Sequence, residues 1–241
     1  MRRAFVVLAL TLAPALAAAD PWKLDDQFKA AKPEDLKDVE PTPPPKGAIV
    51  LFDGKDFSKW VKRDGKGEVK WTLLPGGVME GVKGHGDIMT KEKYAGKFKL
   101  HVEFRVPYEP AGQGQGRGNS GVYLQGRYEV QILDSYGLKS EKNDCAAIYG
   151  VAAPKVNACK APTVWQSYDI EFTSPVFENG KKREPARMTV YHNGTKVHDD
   201  VPIPVDNTTA GLGGDPSTPG PILLQDHGHP VQFRNVWLLK Q

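Results

Sequence analysis

Glu129 has the most informative surroundings of any acidic residue in the chain. It lies in residues 119–134, NSGVYLQGRYEVQILD, where polar and apolar side chains alternate. Strand side chains point to opposite faces with period two, so Val122, Leu124, Val130 and Ile132 form an apolar face. Tyr123, Gln125, Glu129 and Gln131 form the opposite one. The pattern predicts two short strands joined at Gly126-Arg127. Paired, they set a carboxylate that can move a proton beside a phenol and two amides that can bond hydroxyl groups. Asn119 adds a third amide where the first strand begins.

Other residues able to do chemistry fall in two further strand-like segments. In residues 99–106, Leu100, Val102, Phe104 and Val106 alternate with His101, Glu103 and Arg105. Glu103 and Arg105 then make either an ion pair on a solvated sheet, worth little, or an acid and a guanidinium added to the Glu129 wall. Near the C-terminus, Gln225 and His227 share one strand face. His85, in a loop with glycines at 81, 84 and 86, has the setting of a solvated turn residue.

The elements that must carry these groups are short strands. A chain of 241 residues with 39% hydrophobic content can bury a core, and 25 glycines and 20 prolines suit many turns. Asn193-Gly194 marks a hairpin between residues 187–191 and 196–198. Residues 70–74 and 78–80 make another around Pro75-Gly76-Gly77. Many alternating strands with almost no amphipathic helix predict an all-β, two-sheet antiparallel β-sandwich, with one polar sheet face available as a concave groove. No repeat of 20 to 50 residues argues for a propeller or solenoid.

Glycines 112, 114, 116 and 118 do not form a dinucleotide site, because a strand follows them where phosphate binding needs a helix N-terminus. Residues 1–19 have a basic start at Arg2-Arg3, an apolar run and a small-residue end, the layout of a secretory signal. The chain is therefore expected to be exported, to the periplasm or the medium. No apolar run is long enough to span a bilayer. Removing Arg2 and Arg3 leaves 30 basic against 29 acidic residues, with no basic cluster for nucleic acid. Residues 20–46 form a proline-rich extension, expected to act as a linker, and the domain occupies 47–241. Cys145 and Cys159 are expected to form a disulfide, worth about 3 kcal/mol in the chain-entropy model.

Six segments in order resemble the 3-keto-disaccharide hydrolase domain family. They are LFDGK at 51–55, EFR at 103–105, NSGVYL at 119–124, YEVQILD at 128–134, LQDHG at 224–228 and FRNVW at 233–237. The resemblance runs from about Gly47 to Lys240. It implies a concanavalin A-like jelly roll and a small carbohydrate substrate already oxidised to a ketone at C3 of one sugar. Such a ketone acidifies the C2 hydrogen, so that a base can form an enolate that expels the group on C1, and water then adds. Glu129 is the first candidate for the base and Glu103 the second. Arg105 or His227 would stabilise the enolate, and His227 is also placed to protonate the leaving group. Asn119, Tyr123, Gln125, Gln131 and Gln225 are the candidates for hydroxyl recognition. A divalent metal ion held by Glu103, Glu129, Asp134 or His227 is a further option. Two rival readings remain at this stage. A retaining β-glucanase would need two carboxyls across the bond, and Gln131 interrupts that series. A lectin-like glycan-binding module would need aromatic platforms, for which Tyr123 and Tyr128 are available.

Overall fold

The computed structural model describes residues 20–241; the expected secretory signal lies outside the described residues. All sheet pairing is antiparallel, in one eight-stranded sheet and one five-stranded sheet, with a separate two-stranded ribbon. Strands Lys97–Arg105, Gln166–Thr173 and Gln232–Lys240 are neighbours at the centre of the larger sheet. The smaller sheet runs in the order Trp60–Lys62, Ile88–Thr90, Leu223–Leu224, Ser120–Leu124, Tyr128–Ile132. The expected sandwich is therefore what the chain forms.

One core joins the two sheets. Val122, Leu124, Val130 and Ile132 from the smaller sheet share a buried cluster with Leu100, Val102, Phe104, Ile170 and Phe172 from the larger. Burying each such side chain contributes about 1.5–3 kcal/mol, which makes the period-two pattern decisive for which face turns inward. The hairpin turn is one residue earlier than predicted. Arg127 N–H donates to Leu124 O at 3.0 Å. Gln125 and Gly126 take φ of 53° and 64°, the left-handed pair a type I′ turn demands. Gln125 thereby leaves the polar wall, and its side-chain amide donates to Tyr94 O at 3.0 Å.

The strand carrying Glu103 and Arg105 does not adjoin the Glu129 hairpin; it lies in the other sheet. With Leu100, Val102 and Phe104 turned to the core, Glu103 and Arg105 point to the outer side of the larger sheet, away from Glu129. There Glu103 accepts from Arg234 Nε at 2.6 Å, Asn235 Nδ2 at 2.7 Å and the Thr42 N–H at 3.0 Å. Arg105 lies over Trp22 and Trp165, at 4.6 Å and 4.9 Å from the ring centroids. These partners show why the sequence misplaced both residues: alternation reveals that a face is polar, not which sheet owns it.

The N-terminal extension is no free linker. Thr42 O accepts from Asn235 Nδ2 and Trp237 Nε1, Val39 N–H donates to Trp165 O, and Tyr136 donates to Asp35 at 2.6 Å. Prolines that keep the segment extended also let it lie along the sheet. Cys145 and Cys159 stand as two free thiols whose sulfur atoms lie within 4.8 Å of one another. No helix among the described residues is long and apolar enough to cross a membrane.

Candidate active site

On its polar face the smaller sheet holds a cavity of about 160 Å³, lined among others by Glu129, Gln131, Asn119, Gln225 and His227. Five residues that the sequence named are thus brought together, Glu129 and Gln131 from the strand Tyr128–Ile132 and Asn119, Gln225 and His227 from the connections beside the neighbouring strands. A larger depression of about 690 Å³ lies toward the other end of this sheet, around Arg63, His85 and Asp87. The two adjoin, because Arg63 donates to Ala210 O at 3.0 Å and Ala210 also lines the smaller cavity. The smaller one holds the carboxyl group that can do acid-base work.

Glu129 is held from several directions. Its strand pairs with Ser120–Leu124, and Tyr123 is its direct cross-strand partner. Its N–H donates to Thr208 Oγ1 at 3.2 Å, and its carbonyl accepts from the Tyr149 N–H at 3.1 Å. The side chain occupies space that only glycine leaves free: a Cβ on Gly121 would stand 2.6 Å from Glu129 Oε1. Burial pushes the Glu129 carboxyl up to about 7; the hydrogen bond from Tyr123 opposes the rise and the negative charge of Asp87 adds to it. A carboxyl poised there can both accept and return a proton near neutral pH.

Tyr123 is fully buried and is not among the residues that line the cavity, as a hydroxyl-recognising group would be. Burial and the neighbouring Glu129 push its phenol pKa up, which keeps the hydroxyl a donor to that carboxylate. The same oxygen accepts from Gln225 Nε2 at 3.1 Å. The Gln225 amide thus holds the phenol that stands across the hairpin from Glu129.

The opposite side of the cavity is built from amides. Gln131 Nε2 donates to Gln115 Oε1 at 2.8 Å, and Asn119 Nδ2 donates to Gln115 O at 2.8 Å. Asn119 Oδ1 is buried with no partner, an acceptor left for a ligand hydroxyl. Gln115, Tyr149 and Thr209 also line the cavity and were not anticipated. Gln115 sits in the glycine-rich loop, and Tyr149 and Thr209 come from irregular connections without periodicity.

The four groups named as metal ligands do not converge. Glu103 is on the larger sheet, and Asp134 is paired with Arg117 at 2.9 Å outside the cavity. Only Glu129 and His227 line the same space. Glu129 is also the only carboxylate among the residues lining it, so the pair of carboxyls that a retaining β-glucanase needs is missing there.

A family model described as the 3-keto-alpha-glucoside-1,2-lyase-like domain matches residues 47–239. A solved structure of a candidate glycosyl hydrolase from Parabacteroides distasonis is 34% identical, with a TM-score of 0.72 over 90% of this chain and 100% of that one. A second candidate glycosyl hydrolase from the same organism shares the fold at 22% identity, with a TM-score of 0.56 over 81% of this chain and 94% of that one. Among curated proteins, none matches.

Proposed function

The chain belongs to the 3-keto-alpha-glucoside-1,2-lyase-like domain family, a glycosyl hydrolase-like carbohydrate-active domain, and on that premise we propose that it cleaves 3-keto-glycosides or 3-keto-disaccharides after export from the cytoplasm. The observation that carries this reading is Glu129: a lone carboxyl, 3% exposed, with its pKa at about 7, in a small polar cavity. One base of that kind suits removal of a C2 hydrogen made acidic by the C3 ketone, and it does not suit direct displacement between two carboxyls.

In the proposed reaction Glu129 takes the C2 proton, the electron pair of that bond forms the enolate, and the C1–O bond breaks toward the leaving group. His227, at the exposed side of the cavity, protonates the departing oxygen. Water then adds its hydroxyl to C1 and gives its remaining proton back to His227, while Glu129 returns its proton to C2, so that the net change is hydrolysis. Asn119 Oδ1 and the Gln131 and Gln225 amides orient the sugar hydroxyls. The test is a 3-keto-glucoside incubated with the protein in deuterium oxide. Deuterium at C2 of the released sugar is the expected result, and Glu129→Gln should remove both cleavage and exchange. Cleavage by Glu129→Gln at the unaltered rate would overturn the assignment.

A further inference from the structure

A second cluster of reactive side chains lies in the core behind the Glu129 strand. Cys145, Cys159 and His192 each offer one ligand atom, and these atoms all lie within 4.8 Å of one another. Cys145 is 3% exposed and His192 fully buried. The reaction proposed above uses none of the three.

The tautomer of His192 follows from its neighbours. Gln166 Oε1 accepts the Lys160 backbone N–H at 2.8 Å, which identifies that atom as the oxygen, because a backbone N–H can only donate. His192 Nε2 stands 3.0 Å from the same oxygen and must therefore carry the ring proton. Nδ1 is left with a lone pair, and it is buried without a partner. An unpartnered acceptor in a core is costly. A histidine whose far N–H is held by a carbonyl oxygen while its other nitrogen is free has the orientation of a metal ligand.

We propose that Cys145, Cys159 and His192 form a structural zinc site. Two thiolates and a neutral imidazole are soft donors suited to Zn(II), at about 2.3 Å for sulfur and about 2.0 Å for nitrogen. Binding transfers the two thiol protons to solvent, and the two thiolate charges cancel those of the dication, so the core gains no net charge. The fourth position falls to a water or to the Tyr168 hydroxyl, which is 3.1 Å from Cys145 Sγ. Tyr168 also donates to Gln131 O at 2.7 Å, and Ala146 N–H donates to the same carbonyl at 2.9 Å. A bound ion would thus fasten the connection of residues 135–165, including Tyr149, to the back of the strand that carries Glu129 and Gln131.

The experiment uses the full chain purified under reducing, oxygen-free conditions and titrated with Zn(II) against a chromophoric chelator, with Co(II) as a spectroscopic substitute. One zinc per chain, a thiolate-to-cobalt charge-transfer band and a raised thermal midpoint are expected. Cys159→Ser, at the less buried thiol, and His192→Ala should each lower zinc affinity at least tenfold and weaken the band. A reduced, folded protein with two titratable thiols and no stoichiometric zinc would overturn the proposal. So would a Cys145–Cys159 disulfide that reductant and zinc together fail to replace. Neither readout depends on turnover of a 3-keto sugar, so this site and the proposed reaction stand or fall separately.

Discussion

Tyr123 and Glu129 face each other across the hairpin as direct cross-strand partners, and the phenol acts on the carboxyl against the effect of burial. The phenol favours the ionised carboxylate and holds back the rise that burial causes. A residue that looked from its pattern like a sugar contact instead tunes the carboxyl proposed as the base.

Tyr123→Phe should therefore raise the pKa of Glu129 further above about 7, by about one unit if one hydrogen bond is lost. Activity that requires the carboxylate falls at pH 7 and recovers at higher pH. The check is the acidic limb of the kcat/KM profile, and an unmoved limb would rule out the coupling.

Glu129→Gln should lower turnover by about 10²–10⁴-fold, the usual range for loss of a general base. Its effect on stability has the opposite sign. Below the ordinary value of 4.5 both folded and unfolded chains hold the proton, so burial costs nothing there. As pH rises from 4.5 to about 7 the unfolded chain ionises first and the folded state loses stability, fully so above 7. The amide escapes this penalty, on the order of 3 kcal/mol at most, so its thermal midpoint should exceed that of the parent at pH 8 and approach it near pH 4.

Glu103 behaves in the reverse way. Burial alone would push its carboxyl up, but the bonds from His101, Asn235, Arg234 and Thr42 outweigh burial and hold it at about 2. Its contribution is present above the ordinary value of 4.5 and is lost as pH falls toward about 2. Glu103→Ala should cost about 3–5 kcal/mol, as breaking a buried ion pair does. It should also loosen residues 20–46, measured by hydrogen exchange at Thr42, while Glu129 chemistry persists in the fraction that remains folded.

Gly121→Ala tests the space reserved for the base. The added Cβ would meet Glu129 Oε1 at 2.6 Å and Tyr123 Cε2 at 2.9 Å, closer than such contacts normally come. The expected outcome is a fall in kcat larger than the rise in KM, with the thermal midpoint shifted by only a few degrees. Unchanged kcat would show that the carboxyl does not need that position.

Local pattern was enough for the strands and their inward faces. Val122, Leu124, Val130 and Ile132 could only be buried together, because period two fixes which side chains share a face and burial fixes which face turns in. The nearness of Glu129 to Gln131 and Asn119 followed from the same hairpin. Sequence alternation carries no information about which sheet a strand joins, so Glu103 and Arg105 were legible as a polar pair and illegible as the anchor of the N-terminal extension. Gln125 was lost to a turn placed by two positive φ angles, and Tyr123 changed role because only packing shows how deep a side chain lies. The wide separation of Cys145 and Cys159 from His192 forms no metal motif. Their meeting, like the raised pKa of Glu129, was decided by tertiary structure, since both depend on what surrounds a group and not on what flanks it in the chain.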